Sequence, residues 1–174
     1  MLPKQRLTTQ QLTLLGIILG LRIVLSYIPS INMGPYVQMG LGFIGAALSG
    51  ILFGPFYAMV IGVLADIITA LLQGMPFFFG YTLSAGLAGL IYGWGFWRRP
   101  VTLGRIFITV LIITLVVNLG LGSLWVRMMT GKAWSVFMGM RLIKNVISLF
   151  LNTGLLYILF NQPTVRRYLQ RRQF

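Results

Sequence analysis

Two long apolar runs of this chain meet in the segment Gly50-Ile51-Leu52-Phe53-Gly54-Pro55-Phe56-Tyr57-Ala58-Met59-Val60-Ile61-Gly62-Val63-Leu64-Ala65-Asp66. Gly54-Pro55 predicts a tight turn between them, because glycine tolerates sharp backbone bends and proline cannot donate a main-chain hydrogen bond. Asp66 is the only carboxylate side chain, against fourteen Lys and Arg. Any cation that a side chain must neutralise inside the protein therefore has only Asp66 to pair with.

The composition on either side of this segment is typical of membrane proteins. The 174 residues are 57% hydrophobic and only 9% charged. Six runs are apolar over most of their length, and a helix needs roughly 17–25 such residues to cross a bilayer. We predict an all-α membrane protein: a single domain over residues 1–174, folded as a compact bundle of six transmembrane helices. The predicted helices cover residues 12–28, 39–53, 57–72, 83–96, 106–121 and 137–160.

Nine cations lie near the predicted helix ends on one side of the membrane. They are Lys4, Arg6, Arg98, Arg99, Arg105, Arg166, Arg167, Arg171 and Arg172. Because basic loops stay in the cytoplasm, we expect both termini to be cytoplasmic. Topology and contact with anionic lipid account for these charges, so a nucleic-acid site is not expected.

Four further charges lie within predicted helices: Arg22, Asp66, Arg141 and Lys144. At 1.5 Å per residue, all four are predicted roughly 6–12 Å beneath the outer surface. Ionisable groups at such depth usually face the interior of the bundle and mark a substrate path. In the alternative, Arg141 and Lys144 extend to the outer head groups while Arg22 pairs with Asp66 as a structural contact.

The predicted last helix carries a polar stripe. Arg141, Lys144, Asn145, Ser148 and Asn152 recur at three- and four-residue spacing, which places them on one face. Extension to the head groups would explain the two cations but not the three deeper polar residues. We therefore expect the stripe to face inward.

The buried charges and nearby aromatic residues suggest a kind of ligand. Three cations and one anion leave a surplus of two positive charges, which a ligand with two carboxylates would neutralise. The aromatic residues could stack on a flat heteroaromatic ring, or they could form an ordinary interfacial belt. These residues are Tyr27, Tyr36, Phe77, Phe78, Phe79, Tyr81, Trp125 and Trp134.

Small residues in the first predicted helix allow a close helix contact. Gly16 and Gly20 stand four residues apart, a spacing that lets two helix backbones approach. Packing within the bundle accounts for such a pair, but the same strip could receive another protein.

The chain lacks the residues that several kinds of chemistry require. The chain has no Cys and no His, and no phosphate-binding G-x-x-x-x-G-K-[ST] motif. Paired acid–base catalysis and ordinary metal sites are therefore unsupported. We expect neither an enzyme nor a cofactor.

Three motifs carry a resemblance to a known family. The Gly54-Pro55 turn followed by Gly62 and Ala65-Asp66, the segment from Phe79 to Gly93, and Arg141-Leu-Ile-Lys144-Asn145 resemble signatures of the substrate-binding S components of energy-coupling factor (ECF) vitamin transporters. The first two are shared by several vitamin specificities. The third resembles the R-x-x-K of the folate-specific members.

This resemblance implies a high-affinity binding subunit in a prokaryotic plasma membrane. Such a subunit captures a vitamin from outside and works with a transmembrane coupling (T) component and two cytoplasmic ABC-type ATPases. Two departures from the family pattern are Ala58, where Gly is frequent, and the pair Gly16 and Gly20, where an A-x-x-x-A pair docks on the coupling component.

Folate carries a flat pterin and two carboxylates, and it suits both the charge surplus and the aromatic residues. The expected binding residues are Arg22, Asp66, Phe79, Tyr81, Trp125, Arg141, Lys144 and Asn145. Arg22, Arg141 and Lys144 would serve carboxylates or carbonyls, and Asp66 would either accept hydrogen bonds from the pterin or orient Arg22. Gly16 and Gly20 are the expected docking residues.

Other hypotheses remain open at this point. Riboflavin, biotin or pantothenate would suit an S component of different specificity, whereas cationic thiamine is disfavoured by the surplus of cations. A helical membrane scaffold without a small ligand is an alternative from another class. A self-sufficient channel or secondary transporter is a third, although no internal repeat supports it.

Overall fold

The computed structural model describes residues 8–27, 31–32, 38–74, 77–131, 134–163 and 165. In these ranges the protein is built of helices joined by short connections, with one ribbon of two-residue strands. The elements are α1 (Thr9–Tyr27), β1 (Ile31–Asn32), β2 (Gln38–Met39), α2 (Gly42–Gln73), α3 (Phe79–Phe96), α4 (Leu103–Ile112), a π-helical segment (Ile113–Leu121), α5 (Gly122–Thr130) and α6 (Trp134–Asn161).

Among the residues that the structure describes, four helical stretches are long and apolar enough to cross a membrane. They are Thr9–Ser26, Gly42–Gln73, Leu103–Met129 and Arg141–Asn161. The all-α membrane class predicted from the sequence is confirmed. The predicted start of a helix at residue 39 is wrong, because Gln38 and Met39 are extended and pair antiparallel with β1, and the helix begins at Gly42.

α2 is interrupted at Gly54. Its φ of 81° and ψ of −176° are not helical, and Pro55 follows at once. A side chain would be strained at this φ, which explains why glycine occupies the position. A Cβ on Gly54 would also meet the ring of Trp97 at 2.9 Å. α2 thus consists of two helical halves that meet at Gly54, where the sequence predicted a turn.

The two halves of α2 run in opposite directions against α3. Before the break, Gly50 lies against Gly93 and Gly54 lies against Trp97, so the first half follows the direction of α3. After the break the order reverses, with contacts from Pro55 to Gly93, from Ala58 to Gly89 and from Gly62 to Ala85. The chain therefore turns back on itself at Gly54.

Glycines make the contact between α2 and α3 very close. A Cβ on Gly50 would lie 2.7 Å from the main-chain N of Gly93, and one on Gly62 or Gly89 would run into a carbonyl oxygen of the facing helix. Such small residues let backbones approach in membrane bundles. Ala58, which faces Gly89, is completely buried.

α4, the π-helical segment and α5 form one continuous helical rod from Leu103 to Thr130. The predicted end of the fifth helix at residue 121 is therefore wrong, because Gly122–Thr130 is also helical and ends at the left-handed Gly131. Ser123 and Val126 are buried along this stretch. Its polar and aromatic residues thus belong to the faces of a helix and not to a loop.

α6 packs antiparallel to this rod. Arg141 near its start bonds to Asn118, and further along the rings of Phe150 and Phe107 lie 6.4 Å apart. The core between the helices includes Phe96 and Phe160, whose ring centroids are 5.9 Å apart. One end of the bundle, here called the upper end, therefore contains α5, the starts of α3 and α6, and the end of the second half of α2.

Candidate ligand-binding site

Arg22 reaches the upper end from α1. It packs on Gly45 of α2, where a Cβ would lie 2.7 Å from the Arg22 Cβ. The Arg22 Nη1 atom is buried and has no hydrogen-bond partner in the described ranges. Asp66 and Tyr92 are close enough to interact with it electrostatically. A buried guanidinium nitrogen without a partner is costly, and it is available to a ligand.

Asp66 connects α2 to the start of α3. Its Oδ2 accepts a hydrogen bond of 2.7 Å from the hydroxyl of Thr82. The carboxylate also attracts Arg22, although Nη1 of Arg22 remains unpartnered among the described residues. Asp66 therefore holds two helices together and adds a negative charge beside Arg22.

Arg141 lies at the upper end of α6 and is 9% exposed. Its Nη2 donates a hydrogen bond of 3.1 Å to the main-chain oxygen of Asn118 in the π-helical segment. Its Nη1 is buried and, within the part of the chain that the structure describes, has no hydrogen-bond partner. Lys144 and the hydroxyl of Tyr81 interact with Arg141 electrostatically. The guanidinium thus turns toward a neighbouring helix, and not toward outer head groups.

The polar stripe of α6 is largely buried. Arg141, Asn145 and Ser148 are buried, while Lys144 and Asn152 are half-buried. The Asn145 Oδ1 has no hydrogen-bond partner in the described ranges. The stripe therefore faces inward, and it offers an unpartnered acceptor one turn below the unpartnered donor of Arg141.

An aromatic cluster forms at the start of α3. The Phe78 ring stands edge-on to Trp125 at 5.8 Å and to Tyr81 at 5.6 Å. The indole Nε1 of Trp125 donates a hydrogen bond of 2.9 Å to the Ser84 hydroxyl. This bond fixes the orientation of the indole ring, and the nearness of Tyr81 to Arg141 brings the cluster beside the cations.

Not every predicted aromatic residue belongs to the cluster. Phe79 is 69% exposed and Phe77 is also exposed. The side chains of Tyr27 and Trp134 and the whole of Tyr36 lie outside the described residues.

Sequence reasoning missed three positions that hold the site in place. Thr82 and Ser84 bond to Asp66 and Trp125, and the main-chain oxygen of Asn118 bonds to Arg141. Asn118 is the only strongly polar residue in the apolar run 106–121, which was the available signal. A main-chain acceptor cannot be predicted from a pattern of side chains.

Gly16 and Gly20 lie apart from the site on an exposed face of α1. A Cβ at either position would meet nothing within 4 Å. Ile17 and Val24 on the same helix are also exposed. In the described part of the chain, these glycines thus leave a smooth strip uncovered.

Fold and composition together define a multi-pass helical membrane protein. The family described as "ECF transporter, substrate-specific component" matches residues 10–160. The chain belongs to this family.

Relatives of this chain include two proteins named "Folate transporter FolT". The protein from Clostridium novyi (strain NT) is 34% identical over 144 residues, covering 82% of this chain and 83% of the relative. That from Leuconostoc mesenteroides subsp. mesenteroides is 31% identical over 168 residues, covering 92% and 89%. A solved structure, "Crystal structure of FolT bound with folic acid", is similar with a TM-score of 0.84 and 31% identity, covering 89% of this chain and 96% of that one.

Proposed function

We propose that this chain binds folate outside the cell and is the folate-specific subunit of an ECF transporter. The observation that carries the proposal is the pair of buried guanidinium nitrogens, on Arg22 and Arg141, that have no hydrogen-bond partner among the described residues. They lie at the same end of the bundle as an ordered aromatic cluster. The similarity to proteins named for folate transport supports this ligand.

The cations would bind the charged part of folate. Arg22, Arg141 and Lys144 approach the upper end from α1 and α6, and together they exceed the charge of Asp66. Two carboxylates would neutralise this surplus, and a guanidinium can bind a carboxylate with two hydrogen bonds. Asn145 would contribute its unpartnered oxygen as an acceptor for an N–H of the ligand.

The aromatic residues would hold the pterin. Tyr81 and Trp125 belong to a cluster with fixed ring orientations, and such rings stack or stand edge-on to flat heterocycles. Phe79, which is exposed, would cover the ligand from the outer side. Asp66 would either accept hydrogen bonds from pterin nitrogens or orient Arg22.

The topology we propose has six spans and two cytoplasmic termini in the plasma membrane of a prokaryote. The reversal of direction at Gly54 supports two spans within α2. Arg98, Arg99 and Arg105 follow the end of α3, opposite the upper end, and they support placing that side in the cytoplasm, in contact with anionic lipid. The upper end then faces outward, as capture of an external vitamin requires.

The partners would be a transmembrane coupling component and two cytoplasmic ABC-type ATPases. Gly16 and Gly20, on the uncovered strip of α1, would dock on the coupling component. The chain itself would bind the vitamin and take part in its transport. It would neither catalyse a reaction nor bind nucleic acid.

A ligand-shift melt tests this function. The purified protein is heated in detergent with folate, riboflavin, thiamine, biotin or pantothenate. A ligand that binds only the native state, at 100 times its Kd, stabilises by about 2.7 kcal/mol. We expect a large rise in melting temperature with folate alone. A rise with another vitamin alone would assign a different specificity, and no rise with any would favour a scaffold.

A further inference from the structure

The π-helical segment changes the hydrogen-bond register next to Arg141. In an α-helix, the main-chain oxygen of Asn118 would accept from the N–H of Gly122, four residues on. Here that N–H bonds to the oxygen of Val117, five residues back. The Asn118 oxygen is thereby released from its ordinary α-helical donor, and Arg141 Nη2 donates to it at 3.1 Å.

Gly122 adds space for the same guanidinium. A Cβ at this position would lie 2.7 Å from Arg141 Nη2, which is closer than real Cβ contacts. A side chain at residue 122 would therefore require the guanidinium to move from this position against the rod. π-helical turns within α-helices are often found at functional sites.

This arrangement fixes one edge of the guanidinium and leaves the other unpaired. Nη2 is held by a neutral carbonyl, so the positive charge is not neutralised by its anchor. Nη1 is buried and has no partner in the described ranges. Fixing a long side chain before the ligand arrives reduces the entropy that binding must overcome.

We propose that Gly122 and the main-chain oxygen of Asn118 are positioning elements that hold the Arg141 guanidinium for a carboxylate of the ligand, and that they set the preference for a carboxylate-bearing ligand. This role rests on the proposed function, and it identifies a carboxylate as the part of the ligand that Arg141 recognises. Neither element touches the ligand; each acts through Arg141.

The test compares Gly122→Ala with Gly120→Ala in the full-length protein. The two glycines are matched, because at each a Cβ would lie 3.3 Å from the carbonyl oxygen five residues back, Leu115 or Val117. Of the two, only the Cβ at Gly122 would meet Arg141. Affinity is measured calorimetrically for folic acid and for folic acid diamide, in which both carboxylates are amides.

We expect wild type and Gly120→Ala to bind folic acid with an affinity roughly tenfold or more above that for the diamide. A difference of this size corresponds to the free energy of one hydrogen bond to a charged group. Gly122→Ala should lose most of this preference while binding the diamide about as well as wild type does. In an Arg141→Ala background, Gly122→Ala should have no further effect, since its action passes through Arg141.

Arg141→Lys keeps the charge and gives a second test if Gly122→Ala does not fold. A lysine cannot bond to Asn118 and present a fixed second edge, so its preference for folic acid should fall by a similar factor. An unchanged preference in Gly122→Ala or in Arg141→Lys would overturn the inference while leaving folate binding by wild type intact. If wild type does not bind folic acid, the proposed function fails and the inference fails with it.

Discussion

Buried hydroxyl groups in this protein differ in whether they are bonded. Thr82 donates to the Asp66 carboxylate at 2.7 Å, whereas the Thr153 hydroxyl is buried without a partner in the described ranges. A buried polar atom contributes to stability only when it is paired. The two threonines are therefore expected to respond in opposite ways to the same substitution.

Thr82→Val should lower the free energy of unfolding by about 1–2 kcal/mol, because it removes a hydrogen bond to a charge and leaves Asp66 less well solvated. Thr153→Val is the matched control and should be neutral or stabilising. Melting of the two variants without ligand measures both effects. Equal destabilisation by both would contradict the role given to the Thr82–Asp66 bond.

Arg141→Ala and Lys144→Ala should each weaken folate binding, by roughly tenfold or more for the buried Arg141, because a charge-assisted contact is lost. Calorimetric titration with folate measures the change. Arg105→Ala is the control, since Arg105 bonds to Pro100 far from the upper end. Affinity within twofold of wild type in both site variants would refute the charge part of the proposed site.

At the scale of the elements, the close contact of α2 and α3 depends on the absence of side chains. Gly89 lies against the carbonyl of Ala58, and Gly93 lies against Pro55. A methyl group at either position would force the backbones of α2 and α3 apart. The same contact supports Thr82, so damage to it would also reach the binding site.

Gly89→Ala should therefore destabilise the protein strongly, by about 1–3 kcal/mol, the usual cost of overpacking. Gly154→Ala is the control, because a Cβ on Gly154 would meet nothing within 4 Å and alanine favours a helix by about 0.5–1 kcal/mol. Thermal unfolding and the yield of monodisperse protein measure the stability of both variants. Similar melting temperatures for the two variants would contradict the packing argument.

Sequence patterns predicted some features of these elements well, for physical reasons. Apolar runs and the Gly54-Pro55 pair predicted apolar helices and a break, because both depend on local composition. Periodicity predicted the burial of Arg141 and Asn145 on one face of α6. Helix α5 was missed because Gly122 and Ser123 resemble a turn, whereas in the structure the helix continues through them and buries the apolar side chain of Val126. The π register at Asn118 depends on main-chain bonds that no side-chain pattern encodes.

At the scale of the whole molecule, the proposed binding site and the proposed docking strip lie on different surfaces. The candidate site lies at the upper end, whereas Gly16 and Gly20 lie on an uncovered face of α1. Larger side chains at these glycines would project away from the bundle. The two activities should therefore be separable by mutation.

Gly16→Leu with Gly20→Leu should leave folate affinity unchanged and abolish assembly with the coupling component, because a smooth contact surface becomes uneven. Co-purification with the coupling component and uptake by cells measure assembly, and calorimetry measures affinity. Gly154→Leu on α6 is a control at another open position. Normal assembly of the double variant would place docking elsewhere.

Because Asp66 is the single acidic side chain of the protein, ionic strength should affect its stability and its ligand binding differently. Attraction between opposite side-chain charges can contribute little to the cohesion of the bundle, which depends on apolar and glycine contacts. Raising salt from about 0.1 to 1 M shortens the screening length from roughly 10 to 3 Å. The melting temperature of the ligand-free protein should then not fall, whereas the association rate of a dianionic ligand, measured by stopped flow, should fall steeply. The cohesion of the bundle and the rate of capture would thus respond to salt independently.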